Sequence, residues 1–190
     1  MPLKSAQNYG FTLVELLLVI TIMLIMAGAM IPSFNGYLKN QSLKQAQERL
    51  KSDLRSVQNK ALTGALYDRT VLVGAVQQPV THWGVRFNNN SRRYDFFIAR
   101  ATNAAQFATE CANYALADRF QNFEELPEEM IFKSPTGCLY FSFLNGGIST
   151  SVTTSPVYFG YSASNAAGNC RSMQFNPSGL VFNTNVGTCP

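Results

Sequence analysis

Histidine is almost missing from this 190-residue chain: His82 stands alone, and so does the tryptophan beside it, Trp83. One histidine excludes a histidine-based metal cluster, and a Ser/His/Asp triad would rest on it alone. In an expected strand next to Trp83, His82 reads as a structural residue. Charge is scarce too. Charged residues make up 14% of the chain against 46% hydrophobic, where about 25% charged is usual for a soluble domain. The 15 basic and 11 acidic side chains leave a net +4. That mild excess does not by itself imply nucleic acid or an acidic substrate. The four cysteines form no CxxC pair, which argues against a zinc site. There is no phosphate loop, no dinucleotide fingerprint and no internal repeat, and no cofactor is expected. The length suffices for one domain with a sizeable core.

The apolar residues that are present are unevenly spread. Residues 1–10 are short and polar, with Lys4 and a closing Gly10. Phe11 to Ile31 then form an apolar run carrying one charge, Glu15. As a helix this run would span about 30 Å, the thickness of a bilayer core. Pro32 should kink or loosen it by removing a backbone donor. Beyond Pro32 the helix turns amphipathic: Leu43, Ala46, Leu50, Leu54, Val57 and Ala61 recur at steps of three and four. One helix from about Phe11 to Leu62 is expected, stopping at Thr63-Gly64.

After residue 66 the period becomes strand-like. Expected strands are Thr70–Val76, His82–Phe87, Tyr94–Ala99, Met130–Lys133, Leu139–Leu144, Val157–Tyr161, Ser172–Phe175 and Leu180–Asn183. Asn88-Asn89-Asn90, Asn145-Gly146-Gly147 and Asn176-Pro177-Ser178-Gly179 read as turns. Residues 101–128 are ambiguous, with a short helix around Ala104–Ala115, and Ser149–Ser155 reads as loop. The fold class is therefore α+β: a long N-terminal helix whose second half packs on an antiparallel sheet domain. The organisation reads as a leader (1–10), an apolar half-helix (11–32), an amphipathic half-helix (33–66) and a β domain (67–190). An even cysteine count downstream of an export signal points to disulfides in an oxidising compartment. Three pairings are possible. Cys170 and Cys189 bracket an expected hairpin, which favours Cys170–Cys189 with Cys111–Cys138; four reduced, buried thiols are the other reading.

Gly10-Phe11-Thr12-Leu13-Val14-Glu15-Leu16-Leu17 resembles the prepilin cleavage motif of type IV pilins and type II secretion pseudopilins. A small residue precedes the cut, Phe follows it, an acid stands five residues in, and an unbroken apolar helix comes next. Pro32 also falls where many members of that family have a proline. The resemblance is carried by residues 1–62. Farther on it has one local match, Phe175-Asn176-Pro177-Ser178-Gly179, which looks like the final hairpin of H-type pseudopilins and related minor pilins. It implies cleavage after Gly10 by prepilin peptidase and N-methylation of Phe11. It also implies a single-pass anchor in the cytoplasmic (inner) membrane with the globular domain outside the cytoplasm. Assembly into a pilus or pseudopilus would follow, with other pilin subunits and an assembly-platform membrane protein as partners.

Glu15 is pivotal in that picture. A carboxylate in hydrocarbon costs several kcal/mol, less near the end of a span, and the implied partner is the amine of Phe11 on a neighbouring subunit. Thr12-Leu13-Val14-Glu15 also reads as a capping box serving its own helix start. Lys39, Lys44, Arg49 and Lys51 follow the apolar run while only Lys4 and the chain's amine precede it, which by naive count would keep the body inside. The leader motif and the cysteines point outward, and long domains translocate largely regardless of charge.

Two other clusters carry chemistry. Glu124, Glu125, Glu128 and Glu129 around Pro127 could do acid–base work or bind calcium, but read as a solvated loop. Arg92 and Arg93 in a turn, with Arg86 and Arg100 nearby, are the one basic cluster. Some minor pilins bind DNA through a C-terminal arginine segment. Here the corresponding stretch, Gly179-Leu180-Val181-Phe182, has none, so a DNA-uptake pilin is the alternative rather than the expectation. A membrane-anchored surface enzyme is a third reading, with no catalytic constellation behind it.

Overall fold

In the computed structural model the described residues are 11–64, 70–73, 76–112, 123–150, 156–163, 169–176, 181–185 and 189. Helix α1 spans Leu13–Leu62, with Pro32 inside it; the Pro32 side chain lies outside the described ones, as do the leader residues 1–10. The expected stripe is the buried one: Leu43, Ala46, Leu50, Leu54, Val57 and Ala61 are each at most 2% exposed. Two carbonyls near the C-terminus of α1 are then closed off. The amide and hydroxyl of Thr63 both donate to the Asn59 carbonyl at 2.9 Å, and Gly64 N–H donates to Ala61. Gly64 takes φ of 64°, the left-handed conformation that ends helices and suits glycine.

The chain divides into two units, Met1–Lys39 and Asn40–Pro190. The second groups the amphipathic part of α1 with the sheets. β1 (Thr70–Val73) and β2 (Val76–Pro79) form a two-stranded sheet, with Val73 opposite Val76. The single strand expected over Thr70–Val76 is thus two short antiparallel ones; Gly74 and Ala75, between them, lie outside the described residues. A five-stranded sheet is built from β3 (His82–Phe87), β4 (Arg93–Ala99), β5 (Phe123–Glu125), β7 (Gly137–Ser142) and β8 (Ile148–Thr150), in the order β5-β4-β3-β7-β8. A four-stranded sheet comprises β6 (Met130–Phe132), β9 (Val157–Tyr161), β10 (Cys170–Phe175) and β11 (Val181–Asn185), in the order β11-β10-β9-β6. Every described pairing is antiparallel. Helix α2 (Ala104–Ala112) lies within the expected helical stretch, whose remainder is outside the described residues.

Side-chain alternation decides the two faces of the five-stranded sheet. Trp83, Val85 and Phe87, Tyr94 and Ile98, and Leu139 and Phe141 join the α1 stripe in one core, to which Phe132, Phe159 and Met173 of the other sheet also belong. The opposite face carries Phe97, Ala99, Cys138 and Tyr140, packed with Phe107 and Cys111 of α2. Gly84 sits on this second face, and any Cβ there would run into the Phe97 ring. Polar ties also join α1 to the strands. Asp53 accepts from the Tyr94 hydroxyl at 2.5 Å, Arg49 pairs with Glu124 at 2.7 Å, and the buried Gln47 amide donates to the Ser172 carbonyl at 2.9 Å. Arg171 donates to Asn40.

Two expectations are corrected here. Ser149–Ser155 is not all loop, since Ile148–Thr150 pairs with β7 as β8. Glu124 and Glu125 are not loop residues but lie on β5, ion-paired to Arg49 and Arg92.

Candidate assembly site at the start of the helix

The first turn of α1 is fixed by a reciprocal pair. Thr12 donates both its N–H and its hydroxyl to Oε2 of Glu15 at 3.0 Å, and Glu15 N–H donates back to the Thr12 hydroxyl oxygen at 3.3 Å. Two amides that a helix start leaves without intrahelical partners are thereby satisfied. The carboxylate also lies where the helix dipole favours negative charge. A Thr three residues before a Glu is the sequence signal for this geometry.

From Leu16 to Met26 α1 carries no charged side chain, and its large apolar residues are exposed. Phe11, just ahead of it, is 84% exposed, and Leu13, Leu16, Leu17, Leu18, Ile22 and Ile25 are exposed as well. A helix without a polar face is covered by protein or lipid in its working state. Removing such surface from water is worth about 25 cal/mol per Å². Among the described residues, no helix is long and apolar enough to cross a membrane. In the apolar run the described side chains end at Gly28, and residues 13–28 of α1 measure about 24 Å at ~1.5 Å per residue. Gly10, the expected cleavage residue, lies outside the described residues.

Residues 6–31 match the family model for the prokaryotic N-terminal methylation motif. The chain is type IV pilin-like. The match covers Gly10, Phe11 and Glu15 and ends one residue before Pro32. No curated protein and no solved structure matches the chain significantly.

The pilin-like chain carries two disulfides in the second unit. Cys111–Cys138 joins α2 to β7 with Cα atoms 5.8 Å apart, and Cys170–Cys189 joins β10 to a residue beyond β11 at 5.6 Å. Among the described residues no cluster of His, Cys, Asp or Glu could hold a metal ion. His82 is packed edge-on against Phe107 and Tyr140, with Nδ1 2.8 Å from the Thr81 hydroxyl. Burial pushes its imidazole below the usual range. The arginine cluster of this pilin-like chain is not a free basic surface. Arg93 lies on β4 rather than in a turn, bonded to Asp95 at 2.6 Å and stacked 3.9 Å over Phe123. Arg92 donates to the Leu126 carbonyl and faces Glu125, and Arg100 faces Glu110 at 3.5 Å.

Proposed function

We propose that the chain is a structural subunit of a type IV pilus or a type II secretion pseudopilus, placed there as a minor pilin or pseudopilin. The carrying observation is the methylation motif leading into a helix whose apolar side chains from Leu13 to Met26 are exposed, with Glu15 held at its start. In this reading the precursor is anchored once in the inner membrane, and prepilin peptidase cuts after Gly10. Phe11 is methylated, and an assembly platform then transfers the helix into a bundle of related helices. Glu15 exchanges its capping bonds with Thr12, in part or whole, for the Phe11 amine of a neighbouring subunit. An ionised acid in an apolar bundle needs such a counter-charge. Pro32 gives the helix a point at which to bend between its two halves. The role is structural rather than catalytic.

DNA uptake is the weaker alternative. Phosphate binding draws on several available cations, and Arg92, Arg93 and Arg100 are bound to partners within the chain. Mass spectrometry of the mature N-terminus tests the main reading. The expected product starts at a methylated Phe11. Residues 1–10 still attached in cells with an active prepilin peptidase would overturn it.

A further inference from the structure

The sequence holds two Asn-Gly pairs, Asn35-Gly36 and Asn145-Gly146. Such a pair is chemically reactive. Glycine has no side chain to shield its amide nitrogen, and that nitrogen can reach the Cγ carbonyl of the asparagine before it. The fold treats the two pairs differently. Asn35 and Gly36 lie inside α1. Helical ψ turns the following nitrogen away from Cγ, and the helix ladder occupies the amide.

Asn145-Gly146 stands in the tight connection between β7 and β8. Asn145 is exposed, so water reaches its side chain. Its Oδ1 accepts the Gly147 N–H at 2.9 Å. That bond folds the side-chain amide back along the following backbone. It also sets a donor on the oxygen that turns negative when Cγ is attacked. Gly146 takes φ of 63°, and its N–H donates to the Ser142 carbonyl at 2.8 Å. This last bond must open before the nitrogen can react. It lies in a turn whose tip, Leu144 and Asn145, is exposed, and such bonds open more readily than those of a core strand.

We propose that Asn145 is a site of spontaneous covalent modification, converting to aspartate and isoaspartate in the folded chain. A base from solvent removes the Gly146 amide proton, and the nitrogen lone pair attacks Cγ of Asn145. The N–Cγ bond forms as the Cγ–Nδ2 bond breaks, and Nδ2 takes up a proton and leaves as ammonia. Water then opens the resulting succinimide. Addition at Cγ gives aspartate. Addition at the main-chain carbonyl of Asn145 gives isoaspartate, in which the chain runs through the former side chain.

The isoaspartate product disturbs the end of α1. Gly146 is where the turn meets that helix: the Gln58 amide donates to its carbonyl at 3.2 Å, and a Cβ on it would collide with the Leu62 side chain. An extra backbone carbon just before Gly146 moves it off both contacts. The change accumulates with the age of the chain, and it does not rest on the filament reading.

The test incubates the purified full chain in detergent at neutral and at mildly alkaline pH. Peptide mapping by mass spectrometry reads amide-to-acid conversion at each asparagine. Isoaspartyl methyltransferase with a labelled methyl donor reads isoaspartate. Asn145 should convert severalfold faster than Asn35 in the folded chain, and faster at the higher pH. In denaturant the two rates should draw together, because the helix no longer protects Asn35. The aged chain should unfold at a lower urea midpoint than the fresh one. Asn145→Gln, which would have to close a larger ring, should lose the isoaspartate in that peptide and the downward drift with age. Asn145→Asp carries the new acid on an unaltered backbone and should keep the midpoint of the fresh chain. Both disulfides intact on non-reducing gels establish that the variants fold. Conversion at Asn145 no faster than at Asn35, aspartate without isoaspartate, or an aged chain as stable as a fresh one would overturn the proposal.

Discussion

The two halves of α1 share a helix and differ in what covers them. Between Leu43 and Ala61 the apolar residues form one stripe, and the chain's own sheets bury it. Between Phe11 and Met26 they point in all directions and stay exposed. A stripe can be satisfied within one chain because a sheet offers one flat partner. A helix that is apolar all round needs partners on every side, which one sheet face cannot supply. The same contrast holds for the acids. Asp53 is answered by Tyr94 within the fold, whereas Glu15 is answered only by its own Thr12 among the described residues.

The sharpest way to break this comparison is at Glu15. Glu15→Gln should reduce incorporation into sheared filaments at least about tenfold, the cost of one lost charge pairing in an apolar bundle, while both disulfides still form. Equal incorporation would mean that the acid serves only its own helix. Next comes the buried stripe. Leu50→Ala should cost about 2–5 kcal/mol in denaturant unfolding of the second unit. The matching change in the first half, Leu18→Ala, should leave that transition where it was.

Much of this contrast is legible in the sequence. The spacing of Leu43 through Ala61 is the helical period itself, and β3 and β9 lie where alternation puts them, at His82–Phe87 and Val157–Tyr161. The Thr-x-x-Glu spacing announces the capping pair. Pieces held by distant partners are not legible. Phe123-Glu124-Glu125 looks too acidic for a strand until Arg49, 75 positions earlier in the chain, is brought to Glu124. Ile148–Thr150 looks like the start of a Ser/Thr loop, and its pairing with Leu139–Phe141 makes it a strand. Arg93 reads as a turn residue because its charge masks a β position; Asp95 and the Phe123 ring give it a place. Local periodicity cannot report such encounters between segments far apart in the chain.

Smaller effects sharpen the picture within the second unit. Replacing Cys111 and Cys138 together by serine should lower stability by about 3 kcal/mol, as expected for the loop they close, measured as a shift in the urea midpoint. Gly84→Ala should cost about 1–3 kcal/mol, because the Phe97 ring must move. The smallest effects are pH-dependent and have opposite signs. Burial depresses His82, so the folded chain keeps it neutral while the unfolded chain takes up a proton below 6.5. Stability should therefore fall as pH drops through 6.5, and His82→Gln should flatten that slope. Burial raises Glu110, outweighing the neighbouring Arg100. The folded chain therefore holds that proton above 4.5, where the unfolded chain has released it. Acidification towards 4.5 should add stability that Glu110→Gln lacks. Thermal midpoints at neutral and mildly acidic pH, compared between variants, check both slopes.

The bond between Cys170 and Cys189 has a genetic consequence. It ties a residue beyond the last described strand to β10, the strand that grips α1 through Arg171–Asn40 and Ser172–Gln47. A stop codon in place of Cys189 would spare every described strand and still leave Cys170 with no mate, free to capture a thiol on another chain. Nonsense alleles at that codon should therefore behave as loss-of-function mutations, although trimming a chain terminus is ordinarily harmless.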